Sequence, residues 1–124
     1  MKPGGAIPNH RPRPFSGKQL DAIEKYVQEM TANGFIEPCQ SSARNSLLIV
    51  AKPDGGVRVC VDFRDLNEAT IKDRYPIPFF RETLARLNKA VIFSKFDVVH
   101  AFHRIRMKPG SEWLTAFTTR HGTY

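Results

Sequence analysis

The sequence has little cysteine and no long apolar run. Cys39 and Cys60 are its two cysteines, too few for a disulfide scaffold or for a structural zinc site, which takes about four Cys or His ligands. Both read as ordinary reduced thiols. The longest clear apolar run, Leu47–Ala51, is five residues, against the ~20 that a membrane-spanning helix needs. The opening stretch MKPGGAIPNHRPRPF has no apolar core of signal-peptide length, which argues against secretion. No internal repeat is visible, and no Ser, His and Asp are spaced for nucleophilic catalysis. His100 and His103 lie three apart, close to metal-ligand spacing, but no third ligand for a zinc site is evident.

What is present is globular composition, with 41% hydrophobic and 25% charged residues, and neither disorder nor a fibrous class fits it. A chain of 124 residues has room for one domain or a piece of one. A complete domain of that size buries roughly two-thirds of its unfolded surface. The charge is basic, +7 at neutral pH. Residues 1–50 hold six basic and four acidic side chains, net +2, and residues 51–124 hold thirteen and eight, net +5. A positive field favours polyanions, nucleic acid first. A solvated basic surface gives the same arithmetic.

Residues 1–14, with Pro3, Pro8, Pro12 and Pro14, read as an extended or disordered arm. Ser16 with Gln19 three residues later is a candidate capping box. Leu20, Ile23, Tyr26, Val27 and Met30 follow at helical spacing, and Asn33–Gly34 supplies a left-handed stop. Leu47–Ala51 reads as a buried strand, Asp54–Gly55–Gly56 as a hairpin turn, and Val57–Val61 as the returning strand. Lys52 at the tip and Arg58 just past the turn suit phosphate contact, although an ordinary solvated hairpin looks the same in sequence.

Arg74–Pro78 cannot be helix, because two prolines remove donors and fix the backbone. Residues 79–88 carry Phe80, Leu84 and Leu87 at helical spacing. Strands are predicted at Val91–Phe96, His103–Met107 and Trp113–Thr119, with a short helical turn at Ala101–Phe102. The pattern gives an α+β fold. The chain ends at His121–Tyr124 with no closing element, which predicts a domain cut short. Asp97, at the end of an apolar run, is either a structural cap or a metal ligand, and its surroundings in sequence leave both open.

Four ordered motifs resemble one family. They are Gly34–Phe35–Ile36, then Lys52–Asn67 (KPDGGVRVCVDFRDLN), then Arg74–Pro78 (RYPIP), then Phe93–Arg106 (FSKFDVVHAFHRIR). Together they resemble the reverse transcriptase, an RNA-directed DNA polymerase, of gypsy-type long-terminal-repeat retrotransposons. The resemblance runs from about Pro14 to Tyr124.

It implies a right-hand polymerase, with fingers at about 35–90 and the start of the palm at 91–124. Asp97 would be the first of three catalytic aspartates, and the Val98 carbonyl would help bind the same metal ions, expected to be Mg²⁺. Lys52 and Arg58 would hold the incoming deoxynucleoside triphosphate. Ala101 and Phe102 would line the nucleotide site, with Phe102 as the ring that rejects a ribose 2′-hydroxyl. Asp62, Arg64 and Asn67 would brace the fingers hairpin. The partners would be an RNA or DNA template–primer and the triphosphate, with no membrane. The place would be intracellular, in a cytoplasmic particle for the parent element.

The chain departs from the family at one feature. The family's other two aspartates stand in a Tyr/Phe-x-Asp-Asp hairpin, and this sequence has no Asp-Asp pair; its last aspartate is Asp97. One carboxylate cannot hold two cations. The chain alone is therefore expected to be inactive as a nucleotidyltransferase. A non-catalytic nucleic-acid-binding module and a decayed remnant are the alternatives.

Overall fold

The computed structural model describes every residue except Asp54 and His100. It divides into two units, Met1–Ile71 together with Arg106–Tyr124, and Lys72–Ile105.

In the first unit, helix α1 spans Gly17–Ala32. Its start is fixed as the sequence predicts: the Ser16 N–H donates to Gln19 Oε1 at 2.9 Å, which satisfies one of the donors a helix start leaves without a partner. Ile23 and Met30 are its buried residues, seven apart and so on one stripe. Gly34, at φ 69°, takes the left-handed position past the helix end, where a side chain would be strained. There the Phe35 N–H returns to Met30 O at 2.9 Å.

Strands β1 (Ser46–Ala51) and β2 (Val57–Asp62) form an antiparallel hairpin, with Leu47 opposite Val61 and Val50 opposite Arg58. Side chains alternate across a strand, so Leu47, Ile49, Val59 and Val61 share one face. That face meets α1 and Phe117 in a core centred on Ile23, Leu47 and Phe117. Phe117 completes it through ring contacts with Tyr26 and Tyr124, centroids 6.4 and 6.1 Å away.

Helix α2 (Arg64–Ala69) follows β2 and buries Leu66 and Ala69. Its signal in the sequence is slight, the three-residue spacing of Leu66 and Ala69. Residues 1–14 hold no helix, but Asn9 makes a parallel bridge with Arg44 and Pro8 is buried.

The strand predicted at Trp113–Thr119 is mostly absent. Residues Glu112–Thr115 form a 3-10 helix, and only Thr118–Thr119 is strand (β3), paired antiparallel with Gly122–Thr123 (β4). Side chains also reach the backbone acceptors at the start of this stretch. Ser41 Oγ donates to Trp113 O at 2.7 Å, and Asn45 Nδ2 donates to Leu114 O and Ala116 O, both at 2.9 Å. Asn45 is buried, so these bonds form away from competing water.

The second unit holds α3 (Phe80–Leu87) and the four-residue α4 (Ala101–Arg104). Every described residue from Lys72 to Ile105 is exposed. Arg74–Pro78 is irregular, as its prolines require. The strands predicted at Val91–Phe96 and His103–Met107 do not form. A strand needs a second strand for its N–H and C=O groups, and among the described residues neither run is paired. His103 lies in α4 instead.

Candidate functional site

The hairpin presents the two candidate phosphate-binding cations. At its tip the Lys52 N–H donates to Gly56 O at 2.8 Å and the Gly55 N–H to Lys52 O at 3.1 Å. Gly55 sits at φ 81°, a conformation that glycine adopts without strain. Of the predicted turn residues, Asp54 lies outside the described ones. The Lys52–Gly56 bond carries the pairing one step beyond Ala51–Val57. By strand alternation, positions 50, 52 and 58 then fall on the face turned away from the core. Lys52 and Arg58 are both exposed there. The apolar face of the hairpin fixes the backbone, and the opposite face carries the charge.

The base of the hairpin is clamped. The Arg64 guanidinium donates two bonds to the Asp62 carboxylate, Nε to Oδ1 at 2.9 Å and Nη2 to Oδ2 at 2.7 Å, and the Arg64 N–H adds a third to Oδ1 at 3.1 Å. These bonds hold the Asp62 carboxyl down to about 2. The geometry is the bidentate fork that guanidinium and carboxylate favour. It joins the last residue of β2 to the first residue of α2. Of the three bracing residues expected, Asp62 and Arg64 brace through their side chains. The Asn67 N–H donates to Phe63 O at 2.8 Å within the turn of α2.

The other candidate residues lie in the second unit. Asp97 and Val98 are exposed residues of the irregular segment before α4, and Ala101 and Phe102 open that helix. Phe102 is 93% exposed. The Arg104 Nε donates to Val99 O at 3.5 Å, folding the segment back on itself. His100 lies outside the described residues. Asp97, Val98, Ala101 and Phe102 thus fall within six consecutive residues, while Lys52 and Arg58 belong to the first unit.

The donor set does not fit a pair of divalent cations. Among the described residues no three His, Cys, Asp or Glu side chains gather as metal ligands. Asp97 is the last aspartate of the sequence. Two cations a few ångströms apart need several hard oxygen ligands, and these residues offer one carboxylate.

The fold and the motif order define a class: the fingers and early palm of a template-copying polymerase. The family described as reverse transcriptase (RNA-dependent DNA polymerase) matches residues 50–124. The chain belongs to that family. The Pol polyprotein of transposon 297 from Drosophila melanogaster is 41% identical over 107 residues, covering 82% of this chain and 10% of that protein. The Pol polyprotein of transposon opus, from the same fly, is 37% identical over 116 residues, covering 90% of this chain and 12% of that protein. The chain thus spans about a tenth of the length of these curated relatives, which are retrotransposon polyproteins.

In fold, the prototype foamy virus protease-reverse transcriptase is similar, with a TM-score of 0.73 at 23% identity over 94% of this chain and 16% of that one. The foamy viral enzyme solved in complex with dsDNA gives 0.71 at 22%, over 95% of this chain and 25% of that one. The α+β right-hand architecture read from the sequence therefore stands.

Proposed function

We propose that these 124 residues supply the phosphate-gripping hairpin and the first catalytic aspartate of a retrotransposon reverse transcriptase domain. The observation that carries this reading is the register of the hairpin. It places Lys52 and Arg58 on one exposed face, over a core that holds the backbone beneath them. Two cations held in this way suit the triphosphate of an incoming deoxynucleotide, or the phosphates of a template–primer duplex. Asp97, with the Val98 carbonyl beside it, is the ligand this chain would contribute toward Mg²⁺, a hard cation that prefers such oxygens. Phe102, beside Ala101, presents an aromatic ring where a ribose 2′-hydroxyl would have to be refused. A duplex partner is supported by the fold neighbour solved with dsDNA.

The chemistry these residues perform by themselves is binding. The chain is expected to bind an RNA–DNA duplex weakly, on the order of micromolar or poorer, with no sequence preference and with steep loss of affinity as salt rises. Fluorescence anisotropy across a salt series checks this. Lys52→Ala with Arg58→Ala removes about two contacts' worth of salt slope, and Asp97→Ala leaves binding unchanged or slightly tighter. Binding that is flat with salt, or that ignores the double substitution, overturns the hairpin assignment.

Primer extension on an RNA template separates binding from catalysis. The chain is expected to incorporate no nucleotide with Mg²⁺ or Mn²⁺, because one carboxylate cannot grip two ions. Incorporation that vanishes in Asp97→Ala would show that this count of ligands is wrong.

A further inference from the structure

We infer that residues 2–10 are a strap that positions the Lys52–Arg58 hairpin by tying its two roots. One root is Arg44, two residues before β1 begins; the other is α2, two residues after β2 ends. At the first root the Arg44 N–H donates to Pro8 O at 2.8 Å and the His10 N–H donates to Arg44 O at 2.9 Å, the two bonds of the parallel bridge around Asn9. At the second root the Lys2 N–H donates to Ala69 O at 2.8 Å, and Lys2 Nζ to Glu68 O at 2.7 Å. His10 Nε2 also lies 2.7 Å from Asp65 Oδ2. His10 thus touches both roots, by its backbone and by its ring.

The sequence of the strap is fitted to this path. Lys2–Pro3–Gly4–Gly5 closes a turn, with the Gly5 N–H donating to Lys2 O at 3.0 Å and Gly4 at φ 73°. Proline followed by a positive-φ glycine is the pattern of a type II turn. At Gly5 a Cβ would stand 3.1 Å from Ala69 O and 3.2 Å from Lys2 O. Both atoms are backbone, so a Cβ there requires the strap or α2 to give by a few tenths of an ångström, and a branched side chain crowds the tie further. Between the ties lies an open groove of about 550 Å³, so polar ties hold the strap here in place of continuous apolar packing. The binding consequence rests on the proposed role of Lys52 and Arg58. A hairpin whose roots are loose spends less time in the competent geometry, and the apparent affinity falls by that fraction.

The test uses the full chain with Gly5→Val, with His10→Ala, and with His10→Gln as the conservative variant that keeps a side-chain donor toward Asp65. Amide hydrogen exchange and duplex anisotropy are read on each. Gly5→Val and His10→Ala are expected to speed exchange in Ser46–Ala51 and Val57–Asp62 about tenfold, with α1 unchanged, because local opening costs less than global unfolding. Duplex binding is expected to weaken about threefold at an unaltered salt slope, since no phosphate contact is lost. His10→Gln is expected to recover most of both.

Loss of protection at His10 and Arg44 while the hairpin stays protected overturns the strap. An equal rise throughout α1 also overturns it, since that is general destabilisation. The two readings fail separately. If hairpin exchange rises but neither the strap variants nor the Lys52/Arg58 double substitution moves binding, the phosphate reading falls and the strap stands. If the double substitution moves binding while the strap variants leave hairpin exchange untouched, the strap falls alone.

Discussion

Phe117 and Phe96 come from similar stretches of sequence, Leu-Thr-Ala-Phe-Thr and Phe-Ser-Lys-Phe-Asp, and meet opposite fates. Phe117 is 3% exposed, set between Tyr26 and Tyr124 beside Ile23 and Leu47. Phe96 is 89% exposed, in a run that forms no strand. The difference lies in partners more than in composition. Segment 112–124 is held by Asn45, by Ser41 and by pairing between Phe117 and Tyr124, which fixes where its apolar side chains point. Segment 91–96 has the apolar content of a buried strand and no ladder to define its faces. An apolar run specifies burial only when another element accepts it.

The largest effect that sharpens this contrast is on stability. Phe117→Ala is expected to destabilise the first unit by about 4 kcal/mol, since it removes a buried ring from the centre of a small core. Phe96→Ala is expected to cost under about 0.5 kcal/mol, the ordinary range for an exposed position. Urea unfolding of the two variants, followed by the signal of Trp113 in the first unit, measures both. Equal losses would mean that Phe96 is packed as tightly as Phe117, and the contrast between the units would collapse.

The same contrast explains what was legible in the sequence. Helix α1 was, because its capping pair, its apolar spacing and its terminal glycine all lie between Ser16 and Gly34 and act locally. The hairpin was, because Gly55 and the alternating Val57, Val59 and Val61 are local signals too. Lys52 and Arg58 could be named as candidates because the motif around them has a fixed order, and the register then sets them on one face. Three features were not legible. Asn45 gives no local sign that its amide will reach carbonyls some seventy residues away. Three of the strap's ties run through backbone groups at Pro8, His10 and Lys2, and the Lys2 ammonium and the His10 ring meet partners far along the chain, so none of these ties leaves a local signal. The strands predicted at 91–96 and 103–107 failed for the complementary reason: their local pattern was right for a sheet, but pairing is a property of two segments. For Asp97 the sequence motif remains the stronger guide, since its irregular, exposed surroundings add no ligand to it.

A smaller effect tests the base of the hairpin, where the two units again differ: the first has a clamp of known geometry at Asp62–Arg64. Three hydrogen bonds from Arg64 hold the Asp62 carboxyl at about 2, below its ordinary value of 3.8. The sign follows from linkage. The folded state binds this proton less readily than the unfolded chain does, so the clamp stabilises fully above about pH 4, and its contribution is lost as pH falls toward 2. The Asp62 side chain is 12% exposed but Arg64 is 78% exposed, so water screens the pair and the contribution is about 1 kcal/mol. Asp62→Asn keeps the shape and removes the charge. Urea unfolding is expected to show the variant about 1 kcal/mol less stable than the parent at pH 6, with the gap closing near pH 2 as the parent's carboxylate takes up its proton. A gap of the same size at both pH values would mean that the clamp works by shape and neutral hydrogen bonding. The ionic account of how β2 is fastened to α2 would then fail.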